Sequence, residues 1–319
     1  MDKPRPPARR KPSATKKNPA PRRKFRSVGI ALALALALSA FVGFIYTDNA
    51  DMTIPAQTAS PPVKSEYKFD PKGYNFDARY PEFPLPTDAP VLHVLFIGDS
   101  YTLVNNMPFM LADVAASDTA SPVDIKPETY GLAGSTLGDL WPGQAGHALL
   151  HARSWDYVVL QDMSLLPTNA MKVPQMYDAM TEWNTEIRQT GARVVIYQAW
   201  AMKPYSDWYL APERHRNFDL VSPEIMQNKI DTVTSGIAGK IGASVVPVGD
   251  IWEVCRDRPG MPDLYLADGS NPSLAGDYLV ALLFYQMLTR HKPDNISYVP
   301  PGITAEQAQL LKKCASYGG

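Results

Sequence analysis

A serine at the end of an apolar run, in Phe96-Ile97-Gly98-Asp99-Ser100, is the first residue of this chain whose setting suits chemistry. On a strand-to-helix turn its hydroxyl would stand clear of the backbone, where it could attack a carbonyl carbon. Asp99 and Ser100 are also ordinary turn and capping types, so the tripeptide alone decides nothing. Two later stretches offer groups for the oxyanion that such an attack creates. The loop Tyr130-Gly131-Leu132-Ala133-Gly134-Ser135 brings glycines, whose backbone can approach a ligand closely and donate an N–H; a plain flexible turn would look the same. Gln161 follows the apolar run Tyr157-Val158-Val159-Leu160 and could add a side-chain donor, or make only a loop hydrogen bond. Finally, Asp268-Gly269-Ser270-Asn271-Pro272-Ser273 sets a carboxylate three residues before an asparagine. A serine nucleophile needs a base with a pKa near working pH, which imidazole supplies. A carboxamide can hold a hydrogen bond but cannot carry a proton.

The elements that must position these groups are legible as an alternation. Short apolar runs at 92–97, 123–125, 157–160, 194–197 and 244–248 read as strands. Helical patterns fall between and after them, at 108–116, 173–189, 223–241, 274–288 and 305–314. Ser222 before Pro223 has the form of an N-cap followed by proline at the first helical position. Alternation of this kind predicts an α/β sandwich around a mainly parallel sheet, with ligands met at the C-terminal ends of the strands.

Taken in order, the four blocks resemble the SGNH (GDSL-like) hydrolase superfamily, whose members keep Ser, Gly, Asn and His in four successive blocks. The resemblance covers about residues 91–290. It is closest to a bacterial branch whose third block reads Val-Val-Leu-Gln, with glutamine for asparagine. Asn105-Asn106-Met107-Pro108, Tyr197-Gln198-Ala199-Trp200 and Pro247-Val248-Gly249-Asp250-Ile251-Trp252 fit that branch too. The resemblance implies a flavodoxin-like three-layer α/β sandwich with a mainly parallel five-stranded sheet. It implies a serine esterase or O-acyl (acetyl) hydrolase, with Ser100 as nucleophile. The Ser100 and Gly134 amides and the Gln161 side chain would form the oxyanion hole, and Asp268 would orient a histidine three residues on. That position is Asn271. Losing one member of such a triad costs on the order of 10⁴–10⁶ in turnover.

Three outcomes are open for a site so altered. Another base could stand in, and the chain has five histidines, His93, His147, His151, His215 and His291. His93 begins the first strand, at its wrong end; His147 and His151 read as surface helix residues; His291 follows the last core helix. His215 lies in the loop after the fourth strand, on the side where site loops gather, and is the candidate substitute base; a solvated loop histidine is the plainer reading. Alternatively, the domain is an inactive pseudo-hydrolase that still binds an ester or an acylated glycan, with Trp141, Trp200, Trp208 and Tyr209 as a stacking wall or as core. Or it is a scaffold in an envelope assembly. No metal or nucleotide site stands out, and no phosphate-binding glycine loop is present.

Composition frames the rest. The chain has 319 residues, 45% of them hydrophobic, enough for one sizeable core. Residues 1–26 hold 11 of the 31 Lys/Arg and one of the 32 acids, so the remainder has a net charge of −11. Residues 1–27 read as a basic, proline-rich, disordered cytoplasmic tail. The run 28–46 follows, 19 residues without charge and with Ser39 as its polar group; it is close to the roughly 20 residues of a bilayer span. That context points the basic tail to a membrane rather than to nucleic acid. The reading is a signal anchor, with secretion after cleavage near Ser39-Ala40 as the alternative. Residues 47–90 read as a Pro-rich linker and 91–319 as the hydrolase-like domain, outside the cytoplasm. There Cys255 and Cys314 could pair, or remain two buried thiols. Oligomeric state leaves no mark in the sequence.

Overall fold

The computed structural model describes residues 91–316. Five parallel strands form one sheet in the order β2-β1-β3-β4-β5: β1 (Val91–Gly98), β2 (Asp124–Gly131), β3 (Tyr157–Leu160), β4 (Arg193–Tyr197) and β5 (Ser244–Val246). Their Val/Ile/Leu-rich sequences suit strands covered on both faces. Side chains alternate between the faces. Val94, Phe96, Tyr157, Val159, Val195 and Tyr197 enter one core, while Leu95, Ile97, Val158, Leu160, Val194 and Ile196 enter the other.

The helices are α1 (Ser100–Leu103), α2 (Met107–Ala116), α3 (Leu137–Leu140), α4 (Gln144–Leu150), α5 (Val173–Gln189), α6 (Asp207–Leu210), α7 (Pro223–Ile241), α8 (Val248–Arg256), α9 (Leu274–Thr289) and α10 (Ala305–Ala315). Helices α2, α8, α9 and α10 cover the first face; α3, α4, α5 and the end of α7 cover the second. Helix α9 is apolar around its whole circumference and is correspondingly almost entirely buried. Ser222 caps α7 by accepting the Ile225 N–H, with Pro223 at the first helical position. A small third cluster, built around Met202, Leu220, Met226 and Ile230, supports the long loop between β4 and α7.

The expected three-layer α/β sandwich with a five-stranded sheet is the observed fold, and the sheet is parallel throughout. Two elements differ from the sequence reading. Strand β2 continues to Gly131 although Pro127 interrupts it; β2 is an edge strand, so the missing N–H costs no second ladder bond. Helix α8 follows β5 after Pro247, where the sequence reading has a motif and no helix. Cys255 of α8 and Cys314 of α10 form a disulfide with Cα atoms 6.1 Å apart, which settles the pairing left open above. The run 28–46 and the linker lie outside the described residues, among which no helix is long and apolar enough to cross a membrane.

Candidate active site

Strand β1 lies between β2 and β3, so chain order reverses there, and in such sheets this is where a ligand crevice opens. Ser100 opens α1 directly after β1 and is half-buried. Asp99 caps α1 by accepting the Tyr101 N–H at 2.9 Å. Burial pushes its carboxyl up to about 6, against the pull of that N–H and of Gln161. Gln161, buried at the end of β3, accepts from the Asp99 N–H and from Thr102 Oγ1, both at 2.9 Å, and donates to the Asp162 carbonyl at 2.9 Å. A backbone N–H must meet an acceptor, so the amide's orientation is forced. The second Nε2 hydrogen has no acceptor among the described residues. The fit depends on Gly98: a Cβ there would stand 2.5 Å from both Gln161 Oε1 and Thr102 Oγ1. The glycine before the serine is therefore a packing requirement of the Gln161 strut, a role the sequence did not suggest.

Gly134 has φ +76, a left-handed conformation that favours glycine, and space around it is open. Thr136 and Asp139 form a capping box that ends this loop and starts α3. Asp162 joins the loop to β3. Its Oδ1 accepts the Leu137 and Met163 N–H groups at 2.9 Å each, while its buried Oδ2 has no partner among the described residues. Desolvation raises this carboxyl to about 7, outweighing both N–H bonds. Sequence reasoning passed over Asp162; its adjacency to Gln161 was the available signal.

The fourth block closes around Asp268. Ser270 and Asn271 both donate backbone N–H to Asp268 Oδ1 at 2.9 Å, and Asn271 Nδ2 donates to Oδ2 at 2.6 Å. The side-chain nitrogen of Asn271 thus stands where the Nδ1 of a histidine would meet an orienting carboxylate. What the amide lacks is the outer half of the ring, the nitrogen that would take the serine's proton. Asn271 Oδ1 is buried without a partner among the described residues, so no hydrogen bond joins it to Ser100.

Neighbours tie the first block to the fourth. Tyr101, next to Ser100, shares a 2.9 Å hydrogen bond with Ser270 Oγ, and Trp200 Nε1 donates to the Ser270 carbonyl at 3.0 Å. Asn105 Nδ2 reaches Asp277 Oδ2 at 2.8 Å and the Pro272 carbonyl at 3.3 Å. Asn105 and Asn106 both hold positive φ, which asparagine tolerates better than most residues. The pair in sequence was the trace of this sharp turn.

Trp200 is not part of a ligand wall. It is fully buried between Tyr101 and Trp252, with ring centroids 4.2 and 4.0 Å away and planes within 2°. The sequence shows an aromatic in a loop; the fold turns that loop inward against α8. Trp141 packs edge-on to Trp183 and His147, and Tyr209 donates to the Met202 carbonyl. Trp208 donates to the Asp268 carbonyl at 3.3 Å and stacks on His215 at 4.3 Å. That stacking places His215 beside the Asp268 loop, with no hydrogen bond to a site residue among the described ones. Burial, then Arg214, lower its pKa. His147 and His151 share Glu186 at 2.8 and 2.9 Å on the far face of α5. His93 lies at the start of β1, and His291 faces Asp118.

The fold is that of SGNH hydrolases, to whose solved structures the chain is similar in a divergent form. No family model matches the chain, and no curated protein does. Among solved structures, a candidate SGNH hydrolase from Slackia heliotrinireducens is 25% identical with a TM-score of 0.51, over 62% of this chain and 99% of that one. A DUF4886-family protein from Bacteroides uniformis ATCC 8492 is 16% identical with a TM-score of 0.56, over 70% of this chain and 93% of the other.

Proposed function

We propose that the chain is a serine esterase of the SGNH type, an O-acyl hydrolase whose triad is altered at Asn271. Ser100 Oγ attacks the acyl carbonyl, and the Ser100 and Gly134 N–H groups and the free Nε2 hydrogen of Gln161 receive the oxyanion. Asp268 holds position 271. With an amide there, the serine's proton passes to solvent, and turnover is slow. The observation that carries this reading is the hydrogen-bond linkage of all four blocks: Gln161 to Asp99, Asp162 to Leu137, and Tyr101 to Ser270. The substrate class is an acetyl or other acyl ester, as on an envelope or secreted glycan. Trp208 is the aromatic of the four that stands beside the Asp268 loop for such a ligand, since Trp200 is core and Tyr209 packs on the Met202–Met226 cluster. The disulfide supports an extracytoplasmic domain, since such bonds persist where the compartment is oxidising. On this reading residues 28–46 hold it to the membrane.

The test is hydrolysis of a chromogenic acetyl ester by the full chain. Low activity lost in Ser100→Ala and raised on the order of 10² or more in Asn271→His is the expected result. His215→Ala should retain the wild-type rate; a loss without unfolding would assign the base to His215. The missing proton acceptor favours a second reading, a pseudo-hydrolase that binds an acylated ligand and releases it unchanged. Equal, negligible rates in all variants, with retained binding of an acetylated glycan, would establish it instead.

A further inference from the structure

Large apolar side chains that stand in solvent are not scattered over this domain. Leu132 follows β2, Met171 follows β3, Tyr205, Leu210 and Val221 follow β4, and Leu266 lies in the loop that carries Asp268. The remaining two occupy the first turns of α2 and α7, and the whole set is 37–81% exposed. All five strands are parallel, so every one of these positions falls at the same edge of the sheet, the edge of Ser100, Gly134 and Gln161. At the opposite edge the chain returns into the strands through residues 117–123, 151–156, 190–192 and 242–243, and no exposed large apolar residue occurs there among the described residues. Single exposed apolar residues are ordinary. Confinement of the whole set to one edge marks a surface that something covers.

Beside this edge a groove of about 510 Å³ opens between the start of α5 and α7, with a mixed lining of Pro167, Val173 and Ile225 and of Asp219, Asn228 and Lys229. Three nearby pairs balance their own charges, Lys203 with Asp263, Arg214 with Asp207 and Lys229 with Asp219, while the exposed Lys172, Glu213 and Arg216 add two positive charges and one negative. With so small a net charge the rim offers little to a highly charged partner, and its basic side chains suit the headgroup region beside the apolar ones.

We propose that this edge docks on the surface of a lipid bilayer, with the mouth of the site turned towards the membrane. The occupant follows from the chain outside the described residues. Residues 28–46 carry no charge over a bilayer's length, and 44 residues, 47–90, separate them from β1. Covalent geometry lets 44 residues reach at most about 150 Å, enough to let either edge of the domain meet the bilayer. The apolar side chains of the rim then enter the boundary between headgroups and acyl chains. The proposal rests on the membrane reading above and is independent of the ester chemistry. If the ester reading also holds, the site draws on esters displayed at the membrane surface.

The experiment uses the full chain in phosphatidylcholine vesicles that contain nitroxide-labelled lipid. Cys255 and Cys314 are bonded to each other and buried, so a single new cysteine takes a fluorophore selectively. Labels at Leu210→Cys and Met171→Cys report the rim, and Ala120→Cys reports the opposite edge. Flotation with the vesicles and several-fold stronger quenching at 210 and 171 than at 120 are expected. Flotation with equal quenching at all three positions overturns docking and leaves the anchor standing; a chain that does not float overturns both. Leu132→Asp/Leu210→Asp should reduce the quenching at 171 without loss of flotation, and unchanged quenching there would also count against docking.

Discussion

Asp162 is the residue whose environment is most at odds with its chemistry. Its carboxyl is buried, holds two N–H groups on one oxygen and leaves the other oxygen unpartnered. Its folded pKa of about 7 lies above the ordinary value of 3.8, so the folded state keeps a proton that the unfolded chain releases earlier. The stability this contributes is complete below pH about 4 and is lost as pH rises through about 7. Asp99, raised to about 6, acts in the same direction. Urea midpoints should therefore fall between pH 5 and 8, and Asp162→Asn, which mimics the protonated acid, should flatten that fall. A slope unchanged in Asp162→Asn would show that the charge resides elsewhere. The four sequence blocks could be picked out because their spacing follows a known order. Asp162, Tyr101 and Asn105 could not, because their roles consist of contacts to residues 25, 169 and 172 positions away.

Among the elements, α5 and α7 could be read from the sequence to the residue. Both begin with proline in the first turn and keep one apolar face through four or more turns. Strand β2 could not be read, since whether a proline is tolerated depends on edge or centre, which is a property of the sheet. Helix α8 was hidden for a different reason. Its nine residues do carry a helical apolar period, but they follow β5 directly after Pro247 and read as a motif, and α8 is secured by the Cys255–Cys314 bond to α10 and by Trp252 stacked on Trp200. A disulfide closing a loop of 59 residues stabilises by about 4 kcal/mol if loop entropy dominates. Cys255→Ala/Cys314→Ala should lower the unfolding free energy by up to that amount, measured by denaturant titration. Trp200→Ala should cost about 3–5 kcal/mol, since it removes a buried indole and the donor that holds Ser270.

At the scale of the molecule, both cores and the whole sheet are built within the described residues. The segment 91–319 on its own should therefore melt within a few degrees of the full chain in detergent, and a markedly lower melting temperature would mean that residues 1–90 complete the fold. Such a domain can change its tether without changing its site, and can change its site at one position without disturbing the fold. The Asp268–Asn271 pair makes that last point concrete in the language of genes. Asparagine and histidine codons differ only in their first base, and Asp268 is already held by two backbone N–H groups in the pose an imidazole would need. On the proposed function, one nucleotide change would complete the triad by turning Asn271 into histidine, so under selection for ester hydrolysis that change should be among the earliest mutations to appear.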